Sequence, residues 1–279
     1  MRWSEQETRA SVTSALREGL LVEHRDDSSD YSTQGYRFLH DRVQQAAHAL
    51  IPVDARPAFH LEIARALLDA LPEDAKNERA FELIDLVRPG VHLVTEQGER
   101  RAFFNLAFAA GEQARAGAAW GEALDYLQLS AGLLPSEPWS KAYQITFDVH
   151  LGIAESQYLS GRFEDGFRTL DLLSTRAASP IDKARAQIVR AAQHETMADY
   201  GEAVEALRLG LVGLGIDFPR DDGFDAELER ELDATESALG DREIAGLVEL
   251  PVLDDPAIKM SMRLLAFAWA PSYLRADLR

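Results

Sequence analysis

Small and large apolar residues recur at helical intervals from Leu106 to Pro135: Leu106, Ala107, Ala110, Gly111, Ala114 and Ala118, then Trp120, Ala123, Leu127, Ala131 and Pro135. Small side chains stand where two helices must approach closely. An aromatic opens the second helix, and Pro135 closes the unit. The skeleton returns as Ala154, Gly161, Phe163, Gly166 and Leu170, and again as Ala191, Tyr200, Ala203 and Leu207. A lone helix pair leaves one apolar face uncovered, so repeated pairs must stack on one another. This pattern predicts an all-α chain of stacked helix pairs, with Trp120, Phe163 and Tyr200 as equivalent core residues.

The anchors Ala123, Gly166 and Ala203 stand 43 and 37 residues apart. A tetratricopeptide unit is about 34 residues long. The repeats therefore read as lengthened, irregular, tetratricopeptide-like copies in a superhelix over 102–279. Ahead of them lies a helical connector over 53–101. Asp54 is placed to cap its first helix, with Pro57 early inside and Phe59, Ile63, Leu67 and Leu68 on one stripe. A second connector helix is expected over about 78–87, before Pro89-Gly90.

Residues 1–52 read differently. A helix over about 5–18, ended by Gly19, leads to a strand at Leu20–Arg25. A polar stretch separates it from the alternating strand Gly35–His40, and a helix then runs from Asp41 to about Leu50, stopped by Pro52. Helix, small β-hairpin, helix is the outline of the C-terminal part of a winged-helix domain. At the other end, residues 221–256 hold 13 Asp/Glu against Arg230 and Arg242. Gly215, Pro219 and Gly223 mark a loop there, followed by helices over about 226–239 and from Pro256 to Trp269, before Pro271. The chain reads as cut at both ends.

Composition narrows the function. The net charge of -18 disfavours nucleic acid and anionic membranes, which need a basic face. Cysteine is absent, which removes disulfides, thiolate nucleophiles and cysteine-held metals. The longest apolar runs, Leu20–Val22 and Leu264–Ala270, fall far short of the roughly 20 residues of a membrane span. The start, Met1–Glu7, is polar rather than a secretory signal. A cytoplasmic protein that binds other proteins is expected.

The stretch Tyr36-Arg37-Phe38-Leu39-His40-Asp41-Arg42-Val43-Gln44-Gln45-Ala46-Ala47-His48-Ala49-Leu50-Ile51-Pro52 resembles a junction in large bacterial multi-domain kinases. These join a serine/threonine-kinase-like domain, a STAND-type AAA+ ATPase, helical repeats, a GAF domain and a sensor histidine kinase. The resemblance continues through Phe81–Ile84, Gly111–Ala114, Leu133–Pro135, Phe163–Asp165 and Leu214–Ile216. In such ATPases a Met-His-Asp-like motif lies in the winged helix, and its His contacts the β-phosphate of ADP. Leu39-His40-Asp41 is similar, with Leu for Met. The resemblance thus implies a nucleotide-sensing His40, an Asp41 that caps the next helix, and ATP or ADP with Mg in the parent protein.

The residues themselves carry no complete catalytic site. There is no phosphate loop of the Gly-x-x-x-x-Gly-Lys-Ser/Thr type and no acidic strand end to hold Mg²⁺. His40-Asp41-Arg42 has the wrong order for a kinase catalytic loop and lacks its Asn. His24, His48, His60, His92, His150 and His194 are scattered, with no metal-binding helix motif, and no Gly-x-Ser-x-Gly elbow is present. The expectation is a chain that is not an enzyme and holds no cofactor or metal of its own. Its partners would be the adjacent ATPase and output domains, or, for a standalone adaptor, a peptide or protein held in the groove.

Overall fold

Ser4 starts the first helix through a capping box. Its Oγ accepts the Glu7 N–H, and the Glu7 carboxylate accepts the Ser4 N–H at 2.8 Å. In the computed structural model, which describes residues 4–25, 34–218 and 224–277, this helix is α1 (Glu5–Arg17). Gly19 ends it at φ 72°, a left-handed conformation open to glycine without strain. Strands β1 (Leu21–Arg25) and β2 (Gln34–Phe38) pair antiparallel, Leu21 opposite Phe38 and Arg25 opposite Gln34. Helix α2 (Asp41–Ala49) follows. The polar hairpin tip, 26–33, and the loop marks Pro219 and Gly223 lie outside the described residues.

The helical body begins at α3 (Arg56–Ala70), with Pro57 in its first turn as expected. The cap position falls on Ala55, however, so Asp54 stands one residue too early to cap it. The helix expected over about 78–87 is α5 (Ala80–Val87), and a short helix not expected from the sequence, α4 (Glu73–Glu78), precedes it across Arg79. A 3₁₀ turn, Arg88–Leu93, leads on to α6 (Gln97–Ala116). Glu96 caps α6 by accepting the Gly98 and Glu99 N–H groups, and these bonds hold its carboxyl below the usual carboxylate range. Helix α6 crosses the boundary expected at 101/102, and the connector shares one core with the first pair.

Three helix pairs follow the repeat skeleton. They are α6 with α7 (Trp120–Leu133), α9 (Tyr143–Leu159) with α10 (Phe163–Arg176), and α11 (Pro180–Thr196) with α12 (Tyr200–Gly213). A short helix, α8 (Pro138–Lys141), lies between the first two pairs. Trp120, Phe163 and Tyr200 each open the second helix of a pair, as the repeat predicts, but they are half-buried rather than core. The true core positions are the small anchors one turn on: Ala123, Gly166 and Ala203 are buried.

The cores form a chain. One joins α3, α5, α6 and α7 to α9 through Val149 and Ile153. The next takes Phe147, Ala154 and Tyr158 from α9 and Ala186 and Val189 from α11. The last takes Ala184, Ile188 and Ala191 from α11, then α12 and the final helix. The first helix of each later pair thus faces two cores, which is how a stack propagates.

Beyond α12 come α13 (Phe224–Leu239), a 3₁₀ turn at Ile244–Glu249, and α14 (Pro256–Asp277). Helix α14 runs through Pro271, where a stop was expected. Proline there removes one backbone donor. The ring is buried, so packing holds a helix that local preference would end.

Candidate functional site

His40 occupies the N-cap position of α2 with extended backbone (φ -138°, ψ 140°). Its carbonyl accepts the Val43 N–H at 2.9 Å, its side chain makes no capping bond, and the residue is exposed. Asp41 is the first residue of the helix, not its cap, which corrects the role implied for it. A carboxylate in the first turn still favours the positive end of the helix dipole. The pair offers one imidazole that can donate to a phosphate at a strand–helix junction. Among the described residues, no three His, Asp or Glu side chains cluster where they could share a metal ion.

The structure joins two histidines that the sequence leaves 12 apart. His48 of α2 and His60 of α3 bring their Nε2 atoms to 3.2 Å across the Pro52 turn. His150 and His194 prove to be packing residues. His150 Nδ1 lies 2.7 Å from the Thr146 carbonyl oxygen, and its ring meets Trp139. His194 meets the Phe167 ring and lies 3.4 Å from Asp199.

Charged side chains fasten neighbouring pairs. Arg115 of α6 bonds Glu112 at 2.5 Å and also Glu155 of α9. Arg185 of α11 bonds Asp148 of α9 at 2.7 Å with its guanidinium over the Phe147 ring. Asp182, buried at the start of α11, accepts from Tyr143 at 2.9 Å and from Ser179 at 2.8 Å. These are buried or half-buried contacts between helices, and they read as register pins rather than acid–base pairs.

Two surfaces among the described residues bear on binding. A groove of about 760 Å³ lies among α3, α4 and α6, lined by Arg65, Asp69, Lys76, Asn77, Glu96 and Glu99 among others. Its charges are mixed, and Arg65 bonds Glu99 across it. The second surface is on α14. Met260, Leu264 and Ala268 bury one face of this helix against α11 and α12. On another face Ile258, Met262, Leu265, Trp269 and Tyr273 follow helical spacing and stay exposed, Trp269 at 73%. The Trp269 and Tyr273 rings stack at 6.0 Å. Helix α14 sits on α12 and α11 as α11 sits on α10 and α9. It therefore holds the place of the first helix of a fourth pair, and nothing among the described residues covers its apolar stripe.

In a 194-residue alignment that covers 61% of its length, the chain is 25% identical to hybrid signal transduction histidine kinase G of Dictyostelium discoideum, and it spans 6% of that protein's length. No family model and no solved structure matches it. Among the described residues, no helix is long and apolar enough to cross a membrane.

Proposed function

We propose that this chain is a non-catalytic interaction and signal-relay segment of a multi-domain signalling ATPase/kinase. It couples a nucleotide switch on its N-terminal side to output domains on its C-terminal side, through protein contacts. The observation that carries this reading is the unbroken series of linked cores from α3 to α14, ending on the open apolar face of α14. In a stack whose helices face two cores at once, a shift at one end loads the next interface along. Similarity to a signal transduction histidine kinase supports a signalling role.

On this reading the isolated chain holds no cofactor, and His40 meets ADP only when a phosphate-binding domain is present. The purified chain is titrated with ADP and with ATP·Mg at up to millimolar concentration. The expected result is no saturable binding and no phosphate release. Saturable micromolar ADP binding, lost in His40→Ala, would give this chain a nucleotide site of its own and overturn the reading.

The groove at α3, α4 and α6 favours a second reading, a standalone tetratricopeptide-like adaptor that holds a peptide. A partner peptide whose binding is lost on Asn77→Arg, yet unaffected by Trp269→Glu, would put the adaptor first.

A further inference from the structure

We infer that His48 and His60 form a two-imidazole site for a tetrahedral divalent cation, zinc above all, that fastens α2 to α3. The Nε2 atoms stand 3.2 Å apart and the ring centroids 5.4 Å apart. The centroids are farther apart than the nitrogens by about two ring radii, so the rings meet tip to tip. Two nitrogens bound to zinc at about 2.0–2.1 Å and the tetrahedral angle stand roughly 3.3–3.4 Å apart. A right-angled pair of sites at that bond length would hold them nearer about 2.9 Å. The spacing seen here therefore suits a tetrahedral ion, and a turn of each ring by roughly 35° brings both lone pairs onto one point beside the line joining them.

Without a cation the same spacing is served by one Nε2–H donated to the other Nε2, which requires opposite tautomers on the two rings. A cation accepts both rings in the same tautomer, with the Nδ1–H of each free to meet water. Imidazole is a ligand suited to zinc, copper and nickel rather than magnesium or calcium. His48 is exposed and His60 half-buried, so solvent can supply the remaining ligands. The chain has no cysteine to compete for the ion.

The place of the pair gives the site its consequence. Helix α2 closes the hairpin unit, and α3 opens the core that runs on to α9. Between them lies only the turn at 50–55. A cation held by one ligand from each side fixes the angle at this joint. The site stands independently of the relay reading.

The test uses the whole chain at pH 7.5. One equivalent of Cu²⁺ serves as the spectroscopic probe, because pulsed EPR counts coordinated imidazoles through their remote nitrogens, and Zn²⁺ is titrated by calorimetry. The expected result is one micromolar Zn²⁺ site and a two-imidazole copper spectrum. His48→Ala and His60→Ala should each weaken Zn²⁺ binding at least tenfold and reduce the copper signal to one imidazole or none, while His92→Ala changes neither. His48 is exposed and His60 half-buried, so far-ultraviolet circular dichroism checks that the variants remain helical. A wild-type copper signal from a single imidazole, or Zn²⁺ binding that survives both substitutions, would overturn the site.

Discussion

Gly90 shows how one missing methyl group sets the geometry of the connector. A Cβ there would lie 2.4 Å from the Pro57 carbonyl oxygen and 3.2 Å from the Leu61 Cβ. The obstacle is backbone, which cannot rotate aside, so the 3₁₀ turn would have to separate from α3. Gly90→Ala is expected to cost roughly 1–3 kcal/mol, measured as a lowered denaturation midpoint with unchanged helix content. Tyr158 makes a second residue-scale case. Burial pushes its phenol up to about 12, helped by Glu155 and Glu195 and opposed by Arg115. The native state therefore prefers the neutral phenol, and the unfolded chain ionises first, near pH 10. The stability this contributes is complete below pH 10 and is lost as pH rises from 10 to about 12. Tyr158→Phe should leave the denaturation midpoint near neutral pH little changed and make its fall over that interval shallower. Tyr126 and Tyr143 are also raised, first by burial, so some slope should remain. An unchanged slope in Tyr158→Phe would show that its phenol does not titrate differently in the two states.

The three pairs turn by one device. Ala118 (φ 57°), Gly161 (φ 81°) and Ala198 (φ 59°) each stand two residues before the aromatic that opens the next helix. The following N–H reaches back over the turn: Ala119 to the Ala114 carbonyl at 2.9 Å, Arg162 to Gln157 at 2.8 Å, Asp199 to His194 at 2.9 Å. This is the Schellman closure, and its left-handed residue is cheapest as glycine. Gly161→Ala should therefore lower stability by about 1 kcal/mol, and Ala118→Gly or Ala198→Gly should raise it by a smaller amount, in chemical denaturation. Opposite signs at equivalent positions are the diagnostic. Much of this level was legible in the sequence, because the small anchors and the opening aromatics carry the repeat, and Gly19 and Gly161 mark turns. The turns at Ala118 and Ala198 were not, since alanine gives no sign of a left-handed backbone. The short helix α4 and the passage of α14 through Pro271 were hidden too, and at Pro271 it is tertiary packing that carries the helix on. His48 and His60 gave no signal at a separation of 12 residues, since only the angle of the Pro52 turn brings them together. His40 was legible as a strand–helix junction, but the residue at the cap position of α2 could not be told from its neighbour Asp41 by spacing alone.

At the scale of the whole molecule, the linked cores decide how damage spreads. Leu264 is fully buried, and its Cδ2 lies 2.9 Å from where a Cβ on Gly210 would stand. It belongs to the last core, which shares α11 with the one before and nothing with the first. Leu264→Ala removes a core side chain at a cost of about 2–5 kcal/mol. In a closed globular core that loss would lower protection everywhere. In a stack of nearest-neighbour interfaces it should fall mainly on α14 and α12, less on α11, and least on α6 and α7. Amide hydrogen exchange read by mass spectrometry tests this gradient peptide by peptide. Uniform loss of protection from α3 to α14 would mean that the stack opens as a single unit. A signal could then pass along it only by unfolding the whole, and the relay reading would lose its physical basis. A graded loss would show that each interface carries its own stability, so that a contact made on the open face of α14 can alter α12 and α11 while the first pair stays folded.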